Sequence, residues 1–186
     1  MGDERVGEGI GEFGVLRPAR PTDAGALARL ADRTFRETFG PANTPENLDA
    51  HCASAFSEEI QGREIADSLY ENVVVDRDGE LISYAQMRWV EPPPCVPGRR
   101  PAEILRLYVD RPWHGRGLAR IVMEELLARA AAGGAGTVWL GVWEHNPRAI
   151  AFYRKCGFRD VGEHVFRVGD DPQRDLILAR PTESPP

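Results

Sequence analysis

The chain has almost no lysine. Lys155 is the single one among 186 residues, and arginine fills every other one of the 23 Lys and Arg positions. That imbalance reads as composition rather than function. Basic residues are also outnumbered, since 29 Asp and Glu leave a net charge of −6. Nucleic acid is therefore not the expected partner, because phosphate binding needs concentrated Lys and Arg. Cysteine is scarce as well. Cys52, Cys95 and Cys156 are odd in number, widely spaced and form no CxxC pair. Neither a disulfide framework nor a zinc site is expected, no other metal site is evident, and a reducing cytosol is the default compartment. No apolar run approaches the roughly 18 residues that suggest a membrane span. Residues 1–12 are acidic and Gly-rich with no apolar h-region, so they do not read as a secretory signal.

What is present fits one globular domain. The mass is 20.6 kDa, with 42% hydrophobic and 28% charged residues, enough to bury a core and too short for two large domains. The composition predicts a disordered acidic tail over 1–12, a folded unit over 13–180 and a loose Pro-rich tail over 181–186. Val15–Pro18 reads as a strand. Thr22 is a candidate N-cap for a helix carrying Leu27, Leu30, Ala31, Thr34 and Phe35 at helical spacing. Gly40-Pro41 stops it, and Thr44-Pro45 starts another. A third helical segment covers Glu58–Ser68. Val73–Asp76 and Leu81–Val90 are strands joined at Asp76–Gly79. Ile104–Val109 is a strand, Gly115-Arg116-Gly117 opens a helix ending at Gly133-Gly134, and Thr137–Trp143 is a strand. Asn146-Pro147 begins a helix that Gly157 ends. Three closing strands, Phe158–Val161, Val165–Val168 and Asp175–Ala179, complete the chain. The middle is thus a βαβα unit flanked by hairpins, which calls for a mixed α/β or α+β sheet with helices on its faces.

The stretch from Val109 to Ala119 is the most informative. A strand ends, a proline turn follows, and two glycines lead into a helix. Amides free at a helix N-terminus bind anions, and glycine lets the backbone approach a phosphate without an intervening Cβ. Arg116 and Arg120 add positive charge. No Gly-Lys-Ser/Thr follows, and G-x-G-x-x-G is incomplete, so the turn is neither a Walker loop nor a dinucleotide fingerprint. A tight strand-to-helix turn that merely needs glycines is the alternative reading.

The same segment resembles the acyl-CoA-binding motif of the GCN5-related N-acetyltransferase (GNAT) superfamily, written Q/R-x-x-G-x-G/A. It appears here as His114-Gly115-Arg116-Gly117-Leu118-Ala119, with His114 departing from the usual first residue. Ala102–Val109 is similar to the strand that precedes the motif in that family. Val138–Trp143 and the string from Asn146 through Ala149, Phe152, Tyr153 and Gly157 to Phe158 are similar to its next strand and helix. Outside this core, FRVGDDPQRDL at Phe166–Leu176, Thr38-Phe39 with Asn43–Glu46, and Trp139–Glu144 look like the PaiA-type spermidine/spermine acetyltransferase branch. The resemblance implies a mixed, mostly antiparallel central sheet with helices on both faces and a splayed parallel strand pair that admits acetyl-CoA. It implies direct transfer of acetyl to a primary amine of a small molecule in a ternary complex, with polyamines leading. Acetylation of a protein or antibiotic amine, or non-catalytic sensing of acyl-CoA, are the alternatives. A homodimer is compatible with the family, and no pattern in the chain marks an interface.

Acetyl transfer needs something to deprotonate an ammonium and something to stabilise or protonate the leaving thiolate. By resemblance, Tyr153 is the acid near the CoA sulfur; otherwise it is a core aromatic beside Phe152. Glu103 matches the position of the general base in histone-acetylating members, and period-two alternation puts it on the face of Val109. An ion pair with a nearby arginine is its alternative. Glu37, His51, Glu144 and His145 are further candidate bases. Leu107, Tyr108 and Val109 are expected to pair their backbone with the pantetheine arm. His114, Gly115, Arg116, Gly117, Leu118 and Ala119 are expected to cradle the phosphates. Asn146 serves as N-cap and, by resemblance, as a pantetheine contact, with Ala149 and Tyr153 beside it. Arg154 and Lys155 are either phosphate contacts or a solvated helix face. Trp89 and Glu91 are candidates for an acceptor pocket.

Overall fold

Alternation along the strands sorts the apolar residues into cores on opposite faces of one sheet. The computed structural model describes residues 8–182, and eight strands are found among them. They are β1 (Glu8–Gly9), β2 (Val15–Pro18), β3 (Tyr70–Arg77), β4 (Glu80–Arg88), β5 (Ala102–Val109), β6 (Thr137–Trp143), β7 (Arg159–Val168) and β8 (Asp171–Pro181). The helices are α1 (Ala24–Phe39), α2 (Pro45–Ala55), α3 (Glu58–Ala66), α4 (Leu118–Ala132) and α5 (Pro147–Lys155). The strand order is β1-β2-β3-β4-β5-β6-β8-β7. All neighbours are antiparallel except β5 and β6. This is the expected mixed, mostly antiparallel sheet.

In β3, Val73 and Val75 pack with Leu118, Val122, Met123 and Leu126 of α4 and Ile150 of α5. Val74 between them faces Leu27, Leu30, Ala31 and Phe35 of α1 and Leu48 and Cys52 of α2. Burying aliphatic side chains on both faces, at about 1.5–3 kcal/mol each, clamps the sheet between two helical layers. A third cluster of Val96, Trp139, Ile177 and Ala179 covers the far end of β6 and β8.

Local chemistry fixes the helix starts. The Thr44 hydroxyl accepts from the Asn47 amide at 3.3 Å, with Pro45 in the first turn of α2. The Asn146 side-chain oxygen Oδ1 accepts from the Ala149 amide at 3.1 Å ahead of Pro147 in α5. Each satisfies one of the amides left without a partner at a helix start. Thr22 does not cap α1. Pro21–Asp23 form a 3-10 turn instead, and Asp23 accepts from the Arg17 guanidinium and the Arg20 amide.

Two expectations about the sheet change. The three closing strands are two, because 159–168 run as one strand with a register shift between Asp160 and Gly162. The irregularity that looked like a break is a bulge. Residues 8–13 form β1 and a 3-10 turn rather than a loose tail. At the other end Pro181 closes β8, and the Thr182 amide donates to the Gly136 carbonyl at 3.2 Å. The rest of both expected tails lies outside the described residues.

The feature that positions the site is where β5 and β6 part. Their pairing is confined to Ala102 with Val138 and Glu103 with Trp139. From Ile104 onward β5 has partners only in β4, which leaves its other edge facing a gap.

Candidate active site

A cleft of about 1730 Å³ occupies that gap and runs through the sheet from the α4–α5 face to the α1 face. It is large enough for a coenzyme and a second molecule together.

Main chain builds the α4–α5 half. Gly115 has φ 77° and Gly117 has φ 92°, so both adopt the left-handed conformation that glycine takes without strain. A Cβ built at either would meet no protein atom within 4 Å and would stand in open space. Gly117 precedes the first turn of α4, and its carbonyl accepts from the Arg120 and Ile121 amides. The amides of Leu118 and Ala119 belong to that first turn, which has no intrahelical acceptor for them. This is an anion cradle at the N-terminus of a 15-residue helix, with the positive end of its dipole adding to it. Arg111, Arg120, Arg148 and Lys155 also line this half. Leu107, Tyr108 and Val109 line the gap from β5, and Asn146 and Ala149 line it from α5.

His114 is a strut between these parts. Its Nε2 lies 2.7 Å from the Val109 carbonyl and its Nδ1 3.1 Å from Arg148 Nη2. The carbonyl accepts and the guanidinium donates, so the two contacts together call for the tautomer with its proton on Nε2. The Val109 carbonyl, expected to meet the pantetheine arm, is already engaged. Arg116 turns away from the cleft. Its guanidinium lies 5.2 Å from the centre of the Trp113 ring and 3.7 Å from the Glu12 carboxylate.

Tyr153 lines the cleft from α5, packed edge-on to Phe158 with ring centres 6.0 Å apart. Burial drives its phenol well above the ordinary tyrosine value, with Tyr108 and Cys156 adding to the effect. It therefore keeps its proton at neutral pH and is available as a donor.

Glu103 is not brought to the cleft. In the β4–β5 ladder Gln86 opposes Arg106 and Met87 opposes Ile104, so Leu105 is a bulge. The bulge reverses the alternation expected for β5. Tyr108, Arg106 and Glu103 share the α1 face, whereas Val109, Leu107, Ile104 and Ala102 face α4. Glu103 is buried, opposes Arg88 across the ladder and accepts from Arg88 Nε at 2.5 Å. It occupies the ion-pair alternative rather than the position expected for a base.

Side chains build the α1 half. Phe35 and Phe39 stack with centres 4.4 Å apart, and Phe39 lies 5.4 Å from Trp143 of β6. Phe166 of β7 and Tyr108 of β5 close the ring. Arg106 enters from below, neutralised by Glu64 at 2.6 Å and bonded to Gln86 Oε1 at 3.0 Å. Two carboxylates reach this half, Glu37 from α1 and Asp175 from β8. Of the other candidate bases, His51 stacks on Phe35 at 4.4 Å, and burial lowers its pKa. Glu144 pairs with Arg174 at 3.0 Å, and His145 packs edge-on to Trp143. Trp89 belongs to the α4 core and packs over Gly133, away from the cleft, which Glu91 does not line either. Arg154 pairs with Asp160 at 2.7 Å. Asp175 and Arg106 were not singled out from sequence, although both lie in strings that carry the resemblance, because nothing in those strings marks which side chain enters the cleft.

Among the described residues no cluster of three or more His, Cys, Asp and Glu is placed to hold a metal, and no helix is long and apolar enough to cross a membrane.

Comparison with known proteins gives concordant results. The family described as "Acetyltransferase (GNAT) family" matches residues 26–158. An uncharacterized N-acetyltransferase of Mycobacterium tuberculosis is 34% identical over 160 residues, covering 86% of this chain and 97% of its own. Among solved structures, the PaiA N-acetyltransferase of Thermoplasma acidophilum, in complex with coenzyme A, superposes with a TM-score of 0.74. Its identity is 19%, with 89% of this chain and 97% of that one covered. The ribosomal-protein-S18-alanine N-acetyltransferase of Escherichia coli superposes with a TM-score of 0.67 at 21% identity, covering 92% and 95%.

Proposed function

The chain belongs to the GNAT family of N-acetyltransferases, and on that footing we propose that it transfers acetyl from acetyl-CoA to the primary amine of a small cationic molecule in a ternary complex. Polyamines are the leading acceptor class. The observation that carries this reading is the continuity of the cleft. A main-chain anion cradle on one face of the sheet opens, through the β5–β6 gap, into an aromatic chamber with carboxylates on the other.

The residues present fit such a coenzyme. The cradle at Gly115–Ala119 has the open space and the unpaired amides that a diphosphate needs. The free edge of β5 at Leu107 suits an extended amide-bearing arm, which can add to it as a strand would. The coenzyme supplies an activated thioester. Tyr153, kept protonated by burial, donates to the departing sulfur. The aromatic ring of Phe39, Trp143, Phe166 and Tyr108 excludes water around the amine and offers flat faces to a cation.

Thiol release from acetyl-CoA with a panel of spermidine, 2-phenylethylamine and a peptide with a free N-terminal alanine tests the proposal. Turnover with the small cationic amines is expected. Tight coenzyme binding with no thiol from any amine would favour a sensor, and turnover with the peptide alone would move the substrate class to proteins.

A further inference from the structure

Within the acceptor half one carboxylate is buried and incompletely partnered. Asp175 is 7% exposed, and its Oδ1 has no hydrogen-bond partner. The side chain lines the cleft beside Gly141, on the α1 face of the sheet. Gly141 makes that placement possible, because a Cβ there would lie 3.3 Å from Asp175 Oδ2 and 2.9 Å from His164 Nε2. Burying a carboxylate oxygen without a donor is costly, and such an atom is expected to find its donor in a ligand.

One loose ion pair touches it: His164 opposes Asp175 across the β7–β8 ladder, with Nε2 3.8 Å from Oδ2, too long for a hydrogen bond, and Oδ1 is left without a donor. Asp175 raises the His164 pKa above its ordinary value, against the desolvation of the ring, and Glu103 on β5 adds to the rise. Arg106 lines the same half, and Glu64 already neutralises it. Across the cleft stands Tyr108, whose phenol is pushed up to about 12 by burial, with the charge of Asp175 contributing. Asp175, Tyr108 and Tyr153 all line the one cleft.

We propose that Asp175 receives the ammonium of the acceptor amine and takes its proton. The inference rests on the acetyl-transfer reading and adds to it the anchor and the base. One proton passes from R–NH3+ to the Asp175 carboxylate, leaving R–NH2 with a free lone pair. The nitrogen forms a bond to the thioester carbonyl carbon, and the carbon–sulfur bond breaks. A second proton leaves nitrogen and one reaches sulfur through Tyr153, giving the amide and the free thiol. Asp175 then releases its proton to solvent, so the net products are R–NH–acetyl, CoA–SH and one proton. The acceptor this site recognises is a protonated primary amine, polyamines included, because the carboxylate and the aromatic side chains line one cleft.

The test uses the full chain with acetyl-CoA and spermidine or 2-phenylethylamine. Asp175→Asn is expected to lower kcat/KM for the amine by about 10²–10⁴-fold, the usual worth of a positioned base. Affinity for acetyl-CoA by calorimetry should stay within twofold. The residual rate should rise with pH as the amine loses its proton to solvent. Should that variant fail to fold, Asp175→Glu reports the same point by moving the carboxylate, with a loss of about tenfold or more in kcat/KM for the amine. Amine turnover within threefold of wild type in either folded variant overturns the proposal. If the wild-type chain binds acetyl-CoA and releases thiol with no amine, the transfer reading fails, and titration of the CoA-loaded chain with spermidine then decides Asp175 alone. Binding lost on Asp175→Asn upholds the ammonium site, and no binding by wild type overturns it.

Discussion

On the α4–α5 face the cleft is walled by main chain, and on the α1 face by side chains. The first wall comes from one continuous stretch, Val109–Ala119, with α5 beside it. The second is gathered from α1, β5, β6, β7 and β8. The contrast follows from what each binds. A phosphate needs amides held in one geometry, and a helix start with two left-handed glycines provides them whatever the neighbouring side chains are. A particular amine needs shape and charge from side chains, which can change without disturbing the backbone.

Substitutions on the two sides should therefore fail in different ways. After Asp175→Asn on the side-chain wall, the largest effect is expected at Tyr153. Tyr153→Phe should lower kcat by about 10–10³-fold while acetyl-CoA affinity holds within about twofold, since one proton donor is lost and no binding contact is. An unchanged kcat in steady-state assays would remove Tyr153 from the chemistry. Next is Gly117→Val. A branched side chain at φ 92° is strained and projects into the cradle. Losing one or two charge-assisted hydrogen bonds weakens acetyl-CoA binding by about 10–10²-fold. Normal affinity by calorimetry, in a variant with wild-type circular dichroism, would break the main-chain half of the comparison.

Glu103 sharpens the boundary between the halves. Glu103→Gln should lower stability by about 1–3 kcal/mol through its buried contact with Arg88. Turnover should stay within about twofold, read by denaturant unfolding alongside the thiol assay. A drop of 10²-fold in kcat would return the base to β5.

The smallest expected effect concerns two histidines whose surroundings shift them in opposite directions. His164 is raised by Asp175, so it binds a proton more tightly in the folded chain. Its contribution to stability is full below its ordinary value of 6.5 and is lost as pH rises through the folded value. His51, lowered by burial and by Arg106, contributes above 6.5, and that contribution is lost as pH falls. The melting-temperature gap between wild type and His164→Asn should therefore narrow as pH rises past neutrality. For His51→Phe the gap should widen in favour of the variant as pH falls. Parallel profiles for both variants would contradict the assignment.

How legible each half was in the sequence follows from the same contrast. Gly115 and Gly117 announce a backbone conformation, and Asn146-Pro147 announces a helix start, so the cradle and its flanking helix were readable from local pattern. The helix punctuation at Gly40-Pro41, Thr44-Pro45 and Gly133-Gly134 was readable for the same reason. Glu103 was misplaced because strand alternation holds only until a bulge, and nothing in Ile104-Leu105-Arg106 marks Leu105 as the extra residue. The bulge at Val161 likewise made one strand look like two. Arg116 carried the right charge beside the cradle, but the Trp113 face and Glu12 draw it elsewhere. Asp175 meets Gly141 and His164 only through strand pairing between segments more than ten residues apart, and single-sequence periodicity does not encode such contacts.

Amide hydrogen exchange, with and without CoA, tests the central claim that main chain at the β5–β6 gap holds the coenzyme. Added CoA is predicted to slow exchange at Gly117, Leu118 and Ala119 and along the free edge of β5 at Leu107, with little change at β7 and β8. Protection confined to other segments, or none at saturating CoA, would contradict it.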